Sequence, residues 1–174
     1  MRSYTLKVRQ LTTFAVLAAI IIAVQIALFS VPGVQLSGMI IAAITLQYRV
    51  RALIPIYVYV LLYCIVFPTV WSIPYFYIWL PLWAVFMVIG GIKMPHKIKI
   101  PVSMILCGLY GLSFGILYAP FQMIMMSWDL DMIIKWWISG LAFDVPHAIN
   151  NFIFGILIVP LYELLKKLES SNHD

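Results

Sequence analysis

WWISGLAFDVPHAINNFIFGILIVPLYELLKKL, residues 136–168, decides how the rest of the chain reads. It is a long apolar run that ends in Lys166 and Lys167. Within it lies the one cluster of ionisable and amide side chains set inside a hydrophobic segment: Asp144, His147, Asn150 and Asn151. At about 100° per residue, Trp137, Gly140, Asp144, His147, Asn151, Gly155 and Tyr162 fall on one helical face. Polar groups at such depth are costly and ordinarily face a protein interior or a wet cavity. A polar stripe that begins with Trp therefore reads as one wall of a ligand pocket.

Outward from that stretch the chain stays apolar. Of its 174 residues, 64% are hydrophobic and 10% charged, where a soluble domain carries about 25% charged residues. The expectation is an all-α, multi-pass membrane protein, with residues 1–174 forming a single integral membrane domain. The net charge is +5, but the basic residues stand in short clusters between apolar runs. That pattern belongs to membrane topology and not to nucleic-acid binding. Cys64 and Cys107 lie in different apolar segments and form neither a disulfide framework nor a CxxC site. They read as small buried hydrophobes. The N-terminal apolar run has no small-residue cleavage site close behind it, so it reads as a retained first helix.

A spanning helix needs about 20 mostly apolar residues. Six segments are candidates: 11–29, 36–48, 52–66, 74–92, 101–126 and 136–168. Pro32 and Gly33 supply a turn after the first. With six crossings, the basic clusters Arg2/Lys7/Arg9, Arg49/Arg51, Lys93/Lys97/Lys99 and Lys166/Lys167 share one side, and only Lys135 is left on the other. The positive-inside bias then places both termini in the cytoplasm and Asp129 and Asp131 outside. Counting back about 20 residues from Lys166 reaches Pro146. Asp144, His147 and Asn151 are therefore expected in the outer third of the membrane, with a pocket that opens outward. Either Asp144 caps the true start of this helix or Pro146 kinks it.

Other features divide between packing and function. Ala15, Ala19, Ala23 and Ala27 recur every fourth residue, a ridge suited to internal packing or to docking of a separate membrane subunit. YFYIWLPLW at 75–83 is an outer aromatic belt or a stacking surface for a ring-containing ligand. Gly108, Gly111 and Gly115 suit close helix packing. Met123, Met125 and Met126 read as filling space, since no convergent Cys or His accompanies them to bind a soft metal. Asp144 and His147 lack a nucleophile motif, an HExxH or a second acidic cluster, so no enzyme activity, metal or cofactor is expected. A satisfied structural network of Asp, His and Asn is one alternative. Hydrogen bonding to a polar solute is the other: Asp144 and His147 supply charged and directional contacts, Asn150 or Asn151 an amide, and Trp79 and Trp137 aromatic surface.

These residues resemble the substrate-binding S component of energy-coupling factor (ECF) vitamin transporters. The likeness covers nearly the whole chain and rests on the Ala15/Ala19/Ala23 repeat, YFYIWLPLW at 75–83, GLYGLSFG at 108–115 and, most specifically, WWISGLAFDVPHAINNF at 136–152. It implies a multi-pass protein of a prokaryotic plasma membrane that captures a water-soluble vitamin or precursor from outside. It also implies partners: a membrane T component docking at Ala15, Ala19 and Ala23, and two cytoplasmic ATPases. The chain has no GxxxxGK[ST] loop, so ATP hydrolysis would fall to those partners. It also lacks the second-position His of cobalt- and nickel-binding subunits. The rival from another class is a non-transporting membrane scaffold of the rod-shape-determining type, which has no need for Asp144, His147 and Asn151 on one face.

Overall fold

A computed structural model describes residues 2–31 and 33–170, with side chains from residue 8 onward. The side chains of Arg2 and Lys7, and the expected turn residue Pro32, lie outside the described residues. Among those described there is no strand, and they form eight α-helices. They are α1 (Arg2–Ala27), α2 (Ser37–Tyr48), α3 (Leu53–Val66), α4 (Tyr75–Gly91), α5 (His96–Leu112), α6 (Phe114–Met125), α7 (Leu130–Phe154) and α8 (Ile158–Ser170). Tight single turns of helix join α2 to α3 and α7 to α8.

Among the described residues, five helical runs are long and apolar enough to cross a membrane: Val8–Ala27, Ser37–Val66, Val70–Gly91, His96–Met125 and Leu130–Ser170. The sequence expects six, and the difference lies in the second run, which contains both the second and third expected segments. At Arg49 the backbone takes φ 58°, and the helix direction changes there. Ser37, at the start of α2, donates to Gln25 Oε1 at 2.6 Å. Tyr48, at its end, meets the Phe14 ring edge-on at 5.1 Å. Phe67, just beyond α3, stacks on Phe29 at 4.9 Å. α2 therefore runs back along α1, and α3 returns in the direction of α1.

α2 is the centre of the bundle. Its sequence SGMIIAAITLQY carries no charge and no polar face, and an apolar helix of that kind belongs inside. Ser37 through Leu46 are all buried, flanked by α1, α4 and α8. The Thr45 hydroxyl is satisfied by the Ile41 carbonyl at 2.7 Å.

The ends of the bundle differ in charge. At one end Gln47 meets Glu169, His96 lies 3.2 Å from Glu163, Lys99 sits over the Tyr162 ring and Arg49 lies against Gly90 and Gly91. The other end carries Trp128, edge-on to Trp136, and the acidic Asp129 and Asp131, the latter paired with Lys135.

Candidate ligand-binding site

The expected polar stripe lies on the most extensive helix pair of the fold, where α7 and the following turn run antiparallel to α5 and α6. Glycine makes the closeness possible. A Cβ on Gly108 would lie 3.1 Å from Phe152 Cβ; on Gly111, 2.7 Å from Asn151 Nδ2 and 2.8 Å from the His147 carbonyl; on Gly155, 2.7 Å from Met104 Cα. The glycines of α5 therefore pack helices, as their spacing suggests.

Asp144 is 5% exposed, and its role follows from a break in the facing helix. The path turns between α5 and α6 at Ser113, whose own hydroxyl bonds back to the Tyr110 carbonyl at 2.8 Å. The first N–H groups of α6 then lack partners within their helix. Gly115 N–H donates to Asp144 Oδ2 at 3.0 Å, so a carboxylate on α7 caps α6 from across the seam. Trp137 borders the same glycine, its Cδ1 3.1 Å from where a Gly115 Cβ would stand.

Two turns further along α7, Asn151 is 4% exposed. Its Nδ2 faces Gly111 of α5, while its Oδ1 and the Trp79 ring both border Gly38 of α2. Between Asp144 and Asn151, the half-buried His147 ring lies parallel to Phe114 at 5.9 Å. Its Nδ1 is 2.9 Å from the Phe143 carbonyl. A carbonyl only accepts, so Nδ1 carries a proton and donates it there. Trp79 is 2% exposed, and Tyr59, Tyr75 and Tyr110 surround it at 5.9 Å each. The YFYIWLPLW segment is thus divided: Tyr75 and Trp79 face the interior, while Phe76 and Leu80 face outward as a belt would.

Trp79, Trp137, Asp144, His147 and Asn151 are accordingly distributed along one seam. Asn150 is not on it. Its Nδ2 donates to the Pro146 carbonyl at 3.1 Å and faces Gly33 in the α1–α2 connection. Gly33, at φ +76°, sits so close to Pro146 that any side chain there would collide with it. Gly140 has nothing near it, so the stripe does not extend there as part of the wall. Of the two alternatives for Pro146, a helix start capped by Asp144 does not hold. α7 begins at Leu130, with Asp129 accepting from Met132 N–H at 2.9 Å as its cap, and Pro146 lies inside the helix.

The sequence reading missed Gln122, whose two amide atoms are buried with no hydrogen-bond partner among the described residues, as are the indole Nε1 atoms of the expected Trp79 and Trp137. Unpaired buried polar atoms are rare in folded proteins, and each calls for a ligand, water or ion as its explanation. Gln122 was legible in principle, as a lone amide in the apolar run FGILYAPFQMIM. Among the described residues, no group of three or more His, Cys, Asp or Glu could hold a metal, and Cys64 and Cys107 are free thiols.

No known family, curated protein or solved structure matches this chain. Its class is therefore stated from the fold alone: an all-helical protein with the runs of a multi-pass integral membrane protein.

Proposed function

We propose that this chain is the substrate-capturing S component of an ECF-type importer for a water-soluble vitamin or precursor. The observation that carries the reading is the seam itself. It holds a buried carboxylate and a buried amide two turns apart on one helical face, beside tryptophans whose indole N–H groups have no partner among the described residues. A membrane helix keeps such groups where a polar solute can use them. Asp144, His147 and Asn151 contact the solute, and Trp79 and Trp137 give its rings aromatic surface. Energy comes from a T component and ATPases outside this chain.

The same reading sets six crossings with both termini in the cytoplasm. It is supported by the reversal of α2 against α1 and by the placement of Arg9, Arg49, Arg51 and Lys99 around the C-terminal helix at one end of the bundle. α2 is about 18 Å long at the helical rise, shorter than the hydrocarbon layer, and is shielded from lipid by its neighbours. Labelling of Ser127→Cys by an impermeant thiol reagent from outside, with Lys97→Cys protected, is the expected pattern. The reverse pattern defeats the outward-opening pocket.

Mass spectrometry of small molecules retained by the purified protein tests the function. A single vitamin-like compound is expected, together with ATPase and T subunits when purification is gentle. Asn151→Ala weakens its binding by about tenfold, the loss of one buried hydrogen bond to a ligand. Undiminished binding in that variant makes the seam structural only, and co-purification of cell-wall proteins in place of ATPases favours a scaffold.

A further inference from the structure

A cavity of ≈ 850 Å³ lies away from the seam, between α1, α2 and α8. Ile20 and Val24 form one wall, Ile40 and Ile44 the floor, and Leu161 and Leu165 the other wall. Along α1 the lining runs from Arg9 to Val24, about 22 Å at the helical rise. That length exceeds one hydrocarbon leaflet of about 15 Å, half the thickness of the apolar core. The groove is apolar throughout except where it meets the basic end of the bundle. There it adjoins a second, polar pocket of ≈ 290 Å³, with which it shares Gln10, Tyr48 and Glu169. Arg49 and Arg51 line that pocket, and Arg9 stands at the groove's edge.

Arg49 is the unusual member. Its backbone sits at φ 58°, a conformation that strains any residue with a side chain. Glycine would be the expected occupant, yet arginine is there. Its guanidinium lies on Gly90 and Gly91 at the carbonyl end of α4, where only the absence of side chains admits it. Nη1 is buried, with no hydrogen-bond partner among the described residues. The contact with Gly90 and Gly91 holds Arg49 in place beside Arg51, and both residues line the polar pocket, where an anion would meet their positive charge. Glu169 is the opposing charge in the pocket, and its carboxylate is engaged by the Gln47 amide. Two arginines, Arg49 and Arg51, against one carboxylate leave the pocket positive.

We propose that this composite site holds one anionic phospholipid, with its phosphate at Arg49 and Arg51 and an acyl chain along the groove between α1, α2 and α8. The argument is charge complementarity at one end and continuous apolar lining at the other, in a single cleft of acyl-chain length. Basic residues at a membrane boundary select acidic lipids by the same electrostatics.

Native mass spectrometry of the purified full chain tests it, with equal amounts of dioleoylphosphatidylglycerol and dioleoylphosphatidylcholine offered together. The wild-type chain retains one phosphatidylglycerol in several-fold preference to phosphatidylcholine. Arg49→Gln brings that several-fold preference close to equal retention, as expected for loss of a charged contact to the phosphate. Ile20→Trp, at a position 45% exposed within the groove, obstructs the apolar part and lowers retention of both lipids. Equal retention of the two lipids by the wild type overturns the proposal, as it would if the groove were made for a partner protein's helix. A preference that survives both Arg49→Gln and Arg51→Gln also overturns it. Should Arg49→Gln fail to fold, Arg51→Gln and Ile20→Trp carry the decision.

Discussion

The seam between α5/α6 and α7 and the cleft between α1, α2 and α8 are built on opposite principles. In the seam, glycines bring two helices so close that backbone faces side chain, and polar groups are buried in the contact. In the cleft, large aliphatic side chains hold α1 and α8 apart over α2, and the space stays apolar. Without a hydrophobic force between helices in lipid, close packing and interhelical hydrogen bonds are what draw helices together. The seam has both along its length, whereas the bonds that join the helices of the cleft, Ser37 to Gln25 and Gln47 to Glu169, lie at its two ends. The comparison separates the part of the fold that fixes polar geometry from the part left open to the surroundings.

The strongest way to break the seam is to put bulk where it has none. A Cβ on Gly111 would stand 2.8 Å from the His147 carbonyl, which is backbone and cannot turn aside. Gly111→Leu is expected to cost about 3 kcal/mol or more, at the upper end for overpacking. Thermal unfolding in detergent would show it. An equally large residue at Gly140, which has open space around it, should leave the unfolding temperature nearly unchanged. If the two variants unfold alike, the seam is not the tight contact described.

A smaller perturbation separates structure from recognition at Asp144. Asp144→Ala leaves the Gly115 N–H without its acceptor and should cost about 1–2 kcal/mol, the scale of a lost helix cap. Asp144→Asn keeps an acceptor of the same shape and removes the charge. Stability should largely return in the amide, while affinity for the retained solute should not. A variant that recovers both would reduce Asp144 to a cap for α6. Unfolding and ligand titration on the same preparations decide between these outcomes.

The sequence was most legible where a segment's chemistry is uniform. The expected helices at 52–66 and 74–92 match α3 and α4 to within a residue at each end, because an apolar run bounded by Pro or a basic residue leaves little choice. It was least legible where the backbone departs from a simple run. The break at Ser113 has no breaker residue to announce it, yet it creates the N–H that Asp144 caps. Pro146 suggested a boundary or a kink, and the boundary is overturned: α7 runs through it from Leu130 to Phe154, since membrane helices tolerate proline where neighbouring groups satisfy the freed carbonyl. The positive φ at Arg49 could not be anticipated, since arginine carries no preference for it. Of the candidate residues, Asp144 and Asn151 were legible as expensive groups in an apolar helix. The depth of Trp79 was not, because an aromatic run reads the same on a belt as in a core.

The smallest expected effect on the chain itself concerns two adjacent alanines of α1. Ala18 is 0% exposed and packs in the core, whereas Ala15, Ala19 and Ala23 are exposed along the outer face of the same helix. The ridge therefore does not serve packing within this chain, and its neighbour gives an internal control. Ala18→Leu should overpack the core and lower the unfolding temperature, by about 1–3 kcal/mol of stability. Ala19→Leu adds the same atoms to an open surface and should leave the isolated protein as stable as before. Its solute affinity should also hold, because the seam lies on other helices. What it should lose is assembly: a bulge on a ridge of alanines keeps a partner helix from the close approach that small residues permit. Uptake in cells would then fall while binding in detergent persists. The ridge faces away from the core, and Ala19 does not line the apolar cleft, so a lipid there should be retained equally by Ala19→Leu and the wild type. Normal uptake in Ala19→Leu would mean that the energising partner, if there is one, docks elsewhere on the bundle.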